Sequence, residues 1–176
     1  MRKNIVVGVC GSIAAYKSAE VVRELVKKGW NVKVVMTAAA KEFITPLTLE
    51  TLSGNPVYSG MFHESRFEEG HIALADFADI LLVAPATANI IGKMASGICD
   101  DLLSCTVCAF SGKVVFAPAM NCNMWENRIV AANVKKLKEA GYKFVGPEKG
   151  LLASGQEGMG RLASPEKIAA FIDGER

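Results

Sequence analysis

The 176-residue sequence predicts an α/β fold, a three-layer sandwich in which a parallel sheet lies between two sheets of helices. Three observations carry that prediction. Short β-branched apolar runs recur without polar alternation, the pattern of strands buried on both faces. Stretches with helical spacing, ten or more residues long, separate most of them, which demands crossover connections and parallel strands. Glycines, prolines, hydroxyls and amides gather just after the runs, at the carboxyl edge where such sheets bind ligands.

The elements follow in order. Ile5–Val9 reads as the first central strand. From Ser12 a helical stripe, Ile13, Tyr16, Ala19, Val22, Leu25 and Val26, ends at Lys27-Lys28-Gly29, with cations in the last turn and glycine beyond it. Val32–Met36 is the second strand, after which Thr45-Pro46 offers a capping hydroxyl and a proline at the first position of a helix running to Leu52. Gly54-Asn55-Pro56 stops it. A short helix from Gly70-His71 precedes the third strand, Ile80–Ala84, and Val114–Ala117 is the fourth. Between those two strands lies a helical stretch, Thr87–Phe110, interrupted near Gly97. A helix over Trp125–Ala140, a short strand at Phe144-Val145 and a helix opened by Ser164-Pro165-Glu166 complete one domain, residues 1–176. The pattern is Rossmann-like or flavodoxin-like.

Composition excludes several classes of function. Hydrophobic residues make up 51% and charged residues 22%, as in an ordinary globular chain, and the net charge of +2 is spread without a basic run for nucleic acid or a membrane surface. Met1-Arg2-Lys3-Asn4 leads into too few apolar residues for a signal peptide or a span, so a cytoplasmic protein is expected. Five cysteines, an odd number, argue for free thiols. Cys105 and Cys108 have CxxC spacing but no second ligand pair; both are expected to be buried small hydrophobes, and no metal site is expected.

The first strand opens into Gly8-Val9-Cys10-Gly11-Ser12-Ile13, where glycine permits close approach and Ser12 begins a helix, geometry that suits a phosphate or simply a capped turn. It is not GxGxxG, and no acidic residue immediately follows the second strand, so a mononucleotide is favoured over a dinucleotide. The third strand ends in Pro85-Ala86-Thr87-Ala88-Asn89 and the fourth in Pro118-Ala119-Met120-Asn121-Cys122-Asn123-Met124-Trp125. The first of these resembles the PASANT-type motif, with Ile90 in place of its threonine, and the second fits PxMNxxMW. Both belong to the homo-oligomeric flavin-containing cysteine decarboxylases. Gly11–Lys17, Pro46–Leu49 and Leu52–Val57 look like the phosphopantothenoylcysteine decarboxylase branch more than the lantibiotic-peptide branch.

The resemblance implies an FMN cofactor and decarboxylation of 4′-phosphopantothenoylcysteine toward 4′-phosphopantetheine, in coenzyme A biosynthesis. In the family FMN oxidises the cysteine-derived end of the substrate, and the thioaldehyde-like product takes up the electrons released as carbon dioxide leaves. By resemblance His71 is the base, Asn121 binds the substrate carboxylate, and Gly11, Ser12 and Ile13 bind the FMN phosphate. Thr37, Phe43, Ala86, Thr87, Asn89 and Met120 line the flavin, and Ala153, Ser154 and Gly155 touch substrate. His63 has no such match and is expected on a surface loop.

Gly150–Arg161 looks like the family's mobile flap, whose cysteine donates the last proton; Ser154 stands in its place. Serine is a far weaker acid, so the reaction should slow or stop at the enethiol. An engineered trap, a natural oxidative decarboxylase, and a proton drawn from Cys122 or water all fit that residue. The other readings of the chain are an oxidative decarboxylase of peptides ending in cysteine and a non-catalytic flavin-binding regulator. Family members form trimers or multiples of them, homotrimer to homododecamer, and in many bacteria the domain is fused to the synthetase that makes its substrate.

Overall fold

A computed structural model describes residues 3–61 and 70–175; His63 lies outside them. Among the described residues eight strands and eight α-helices follow in this order: β1 Lys3–Val9, α1 Ser18–Lys27, β2 Trp30–Met36, α2 Pro46–Ser53, β3 Val57–Tyr58, α3 His71–Phe77, β4 Ile80–Ala86, α4 Ala88–Ser96, α5 Leu102–Ala109, β5 Lys113–Pro118, α6 Cys122–Trp125, α7 Arg128–Glu139, β6 Lys143–Phe144, β7 Glu148–Leu151, β8 Glu157–Arg161 and α8 Pro165–Gly174. Six strands form one parallel sheet in the order β3-β2-β1-β4-β5-β6. Ile5 of β1 sits beside Val32 of β2 and Ile80 of β4, and Leu82 of β4 beside Val115 of β5.

The uninterrupted apolar runs of the central strands have the cause expected of them. Ile5, Val7 and Val9 join one core with Val22, Leu25 and Ile168, under α1 and α8. Val6 and Cys10 join the other with Leu74, Ile91 and Leu103, under α3, α4 and α5. Every second residue therefore feeds a different core, and a polar residue at either phase would be buried. Gly8 is small because the Leu103 side chain occupies the space of a β carbon there.

Several boundaries differ from the sequence expectation. The first helix is split: Ile13–Lys17 is a 3₁₀ turn, and only from Ser18 is the helix α. Ile13 and Tyr16 are therefore 58% and 54% exposed, and the buried stripe is Val21, Val22 and Leu25. Thr45 precedes α2 but does not cap it; its hydroxyl meets that of Thr48 at 3.2 Å. The stretch expected as one helix over Trp125–Ala140 breaks after Trp125, because Asn127 caps a new helix by accepting from the Ile129 amide at 2.9 Å. The two-residue strand β3 was not foreseen, and the last sheet strand falls at Lys143–Phe144 rather than Phe144-Val145. Cys105 is half-buried and Cys108 exposed, so neither is the buried small hydrophobe expected. The glycine-rich flap is an ordered antiparallel hairpin, β7 on β8, pairing Gly150 with Gly158 and Leu151 with Glu157.

Strand order reverses between β1 and β4, and each then leads away to its own side of the sheet. The crevice at their carboxyl ends is where an open parallel sheet can admit a ligand without breaking a ladder. No helix among the described residues is long and apolar enough to cross a membrane.

Candidate functional site

Two cavities open at that crevice. The first, about 510 Å³, is lined by the chain that follows each of the four central strands: Cys10–Ser12, Thr37–Ala39, Thr87–Ile90, and Ala119 with Met120. The second, about 460 Å³, shares Ser12, Ala119 and Met120 with the first and continues under the hairpin, past Asn121, Leu151, Leu152, Ala153 and Ser154. The two spaces therefore have a common wall of three residues.

Local bonding fixes these residues. Ser12 accepts the Ala14 amide at 3.2 Å, Thr37 the Ala40 amide at 3.2 Å and Thr87 the Ile90 amide at 3.4 Å. Each hydroxyl thus caps the turn after its strand, so capping and lining the cavity are served by one side chain. A β carbon on Gly11 would lie 2.5 Å from that of Ala39, so only glycine lets these two walls meet. Asn121 caps α6: its Oδ1 accepts the Asn123 amide at 2.9 Å. With its oxygen engaged, the carboxamide has its NH₂ left to offer the second cavity.

The hairpin is tied to this same segment. The Met120 amide donates to the Gly160 carbonyl at 3.0 Å. Gly160, at φ 145°, has no room for a side chain against the Met120 carbonyl, and a β carbon on Gly158 would lie 2.8 Å from that of Cys122. Beyond these contacts the turn closes through Leu152 N–H to the Gln156 carbonyl at 2.8 Å and Gly155 N–H to the Leu152 carbonyl at 2.9 Å. Ser154 is at its exposed tip and lines the second cavity. Cys122 instead points its thiol toward Gln156 of the hairpin, 3.7 Å away, and lines neither cavity.

The first cavity carries groups that sequence reasoning missed. Lys93 of α4 is held by Asp100 at 2.6 Å and Asp101 at 2.7 Å, and both Lys93 and Asp101 line the cavity. Burial pulls the Asp101 carboxyl upward, but the Lys93 ammonium and the Ser104 amide outweigh it and hold the group below the usual carboxylate range. Burial likewise pulls Lys93 down, and its two carboxylates reverse this, leaving its ammonium more firmly protonated than usual. Only the Asp101-x-x-Ser104 capping box was readable in advance; the eight-residue gap from Lys93, across the left-handed Gly97, carries no periodic signal. Burial pushes the Cys10 thiol up to about 12, so it faces the cavity as a neutral group.

Of the residues expected at the site, Gly11, Ser12, Thr37, Thr87, Asn89 and Met120 line the first cavity, and Ser12, Ile13, Met120, Asn121, Ala153 and Ser154 the second. Phe43, Ala86, Gly155 and His71 line neither. Ala86 is fully buried beneath the crevice and Phe43 is 47% exposed beside it in sequence. His71 begins α3, half-buried, at the helix end turned toward the carboxyl edge, since α3 leads into the amino end of β4.

Comparison with known proteins gives this site its context. The family model described as Flavoprotein matches residues 1–176. A coenzyme A biosynthesis bifunctional protein CoaBC of Borreliella burgdorferi is 47% identical over 170 residues, covering 97% of this chain and 44% of that protein. The chain therefore spans less than half the length of such bifunctional relatives. A probable phosphopantothenoylcysteine decarboxylase of Streptococcus mutans is 46% identical over 176 residues and 98% of both chains. Among solved structures, a PPC decarboxylase cysteine-to-serine mutant complexed with pantothenoylaminoethenethiol superposes with a TM-score of 0.85 at 29% identity, over 98% of this chain and 97% of that one. The FMN-dependent cysteine decarboxylase SpaF gives 0.83 at 32%, over 98% of each.

Proposed function

This chain belongs to the flavoprotein family, and on that premise we propose that it is an FMN-dependent carboxy-lyase acting on 4′-phosphopantothenoylcysteine in coenzyme A biosynthesis. The observation that carries the reading is the pair of joined cavities, one suited to a flavin and the other presenting Asn121 and Ser154 beside it. The first cavity fits the mononucleotide: hydroxyls of Ser12, Thr37 and Thr87 and the amide of Asn89 surround it, with Ile90, Met120 and Met124 as apolar wall. The Gly11–Ile13 turn would take the phosphate, and Thr37, Thr87, Asn89 and Met120 the ring system, with Ala86 packing behind and Phe43 beside it.

FMN bound there would supply the two-electron acceptor that decarboxylation needs. Asn121 donates its NH₂ to the substrate carboxylate and so orients the bond that breaks. His71 receives the proton released from the cysteine end. Ala153, Ser154 and Gly155 close over the substrate, and Ser154 stands where the second half of the reaction needs an acid. A hydroxyl is a much poorer one than a thiol, whose pKa is about 8.5, and Cys122 is in the lining of neither cavity. The chain accordingly releases carbon dioxide and holds at the enethiol.

His71 lies outside the linings of both cavities of its own chain, which supports a homo-oligomer, a trimer or a multiple of trimers, in which it serves a neighbouring copy; a cytoplasmic location is consistent with its coenzyme A relatives. The exposed Leu47, Ile72 and Ile129 give such contacts apolar surface. Longer relatives such as CoaBC make joining to, or association with, the synthetase part of the same proposal. Identity of 46–47% to proteins named for coenzyme A biosynthesis and phosphopantothenoylcysteine decarboxylation supports this substrate over a peptide. Retention of His71 and Asn121 speaks against a purely regulatory flavin protein.

Purified protein incubated with 4′-phosphopantothenoylcysteine should be yellow, release carbon dioxide, retain reduced flavin and yield a product two hydrogens short of 4′-phosphopantetheine. Full conversion with reoxidised flavin would show that Ser154 does not limit the cycle. Absence of flavin and turnover would overturn the reading.

A further inference from the structure

The second cavity mixes polar, charged and apolar side chains. Asn121 and Ser154 line it together with Lys17 and Arg161, the only charged residues among the described residues of its lining, with no carboxylate among them. Ile13, Ala14, Leu151, Leu152 and Leu162 lie in the same lining and supply the apolar part.

The two cations are not equivalent. Arg161 pairs with Glu148 at 3.4 Å, and Glu148 also takes Lys167 at 3.0 Å, so the guanidinium is already partly neutralised. Lys17 forms no ion pair among the described residues; its ammonium lies 5.9 Å from the centroid of its neighbour Tyr16, itself in the cavity wall. Lys17 is half-buried on the 3₁₀ turn that follows Ser12, and it lines the second cavity but not the first. A half-buried, uncompensated positive charge in a carboxylate-free pocket is a site for an anion.

We propose that Lys17, assisted by Arg161, receives the terminal phosphate of the substrate and is the residue by which the chain prefers a phosphorylated over an unphosphorylated pantothenoyl-cysteine. The inference rests on the decarboxylase reading above and adds to it the recognition of the end remote from the chemistry. That substrate is anionic at both ends and carries a gem-dimethyl group, a hydroxyl and two amides between them, and the cavity lining offers cations, an amide and aliphatic side chains to such groups. Its carboxylate meets Asn121, its dimethyl-bearing segment meets the leucines, and its phosphate reaches the ammonium. A phosphate held at Lys17 fixes how deep the cysteine end sits, so binding remote from the reacting carbon contributes to the rate. A lysine merely extended into solvent would show none of this.

The test uses flavin-loaded protein and single-turnover carbon dioxide release from 4′-phosphopantothenoylcysteine and from pantothenoylcysteine. The unsubstituted chain should prefer the phosphorylated compound; Lys17→Met should reduce that preference about tenfold or more, and Lys17→Arg should restore part of it. Equal loss on both compounds, or an unchanged ratio, would overturn the role of Lys17 while leaving the decarboxylase reading intact. Weaker flavin binding by Lys17→Met would reassign the ammonium to the cofactor phosphate and overturn the proposal. If the unsubstituted chain releases carbon dioxide from neither compound, the decarboxylase reading itself fails and this inference falls with it.

Discussion

Asn121 shows how one side chain can serve fold and chemistry together. Its Oδ1 caps α6 and so cannot rotate away without freeing an amide, which leaves the NH₂ pointing where a carboxylate could use it. Ser154 has the opposite character, an exposed hydroxyl on a turn that closes through main-chain hydrogen bonds. Because nothing in the turn depends on that hydroxyl, Ser154→Cys should leave the hairpin intact and change the acid alone. The expected outcome is a product heavier by two hydrogens and a reoxidised flavin, read by mass and by the flavin spectrum; a product unchanged in mass would show that Ser154 is not the donor position. Ser12, Thr37, Thr87 and Asn121 were expected at the site through the family resemblance, and in the structure each is also a cap, a role written locally in sequence. Lys93 and Asp101 were not legible, since their contact depends on how two helices meet across Gly97.

At the level of elements, the strand ends matter more than the helices. Asp101 caps α5 and also holds Lys93, so Asp101→Ala should cost about 1–2 kcal/mol, while Asp101→Asn keeps a cap and loses only the charge. The folded carboxyl titrates below its unfolded value of about 3.9, so its contribution is present above that pH and disappears as pH falls through the folded pKa. Thermal melts of the parent and Asp101→Asn should therefore differ near neutrality and converge in acid; a gap that persists in acid would contradict the ion pair. Elements with long apolar runs, such as β1 and β4, could be read from sequence because both faces are buried. The hairpin could not: Glu-Lys-Gly-Leu and Glu-Gly-Met-Gly-Arg have poor strand propensity, and the ladder exists because Gly158 and Gly160 let it dock on the Met120–Cys122 segment. The helix expected over Trp125–Ala140 failed for a local reason, the cap at Asn127, which composition alone does not reveal.

For the whole molecule, the placement of His71 outside both cavities bears on how copies cooperate. His71→Asn and Asn121→Asp chains should each be inactive alone. If one copy's histidine serves another's cavity, co-refolded mixtures in equal amounts should regain activity in about one quarter of sites by random assortment. No recovery in verified mixed oligomers would place the histidine and the asparagine of each working site in the same copy. The parallel sheet and the crevice at its carboxyl edge are as the alternation of strands and helices predicts, yet whether a second copy contributes to the crevice is a property of surfaces, to which periodicity is blind. The hairpin has a consequence of another kind. Its rails are held at Gly158 and Gly160, so the doorway to the inner space is the short turn Leu152–Gly155, and Ser154 belongs to that doorway. Under the proposed function, entry, closure and proton supply would be timed by the same four residues, and a turn that opened faster would also let the unfinished intermediate escape sooner.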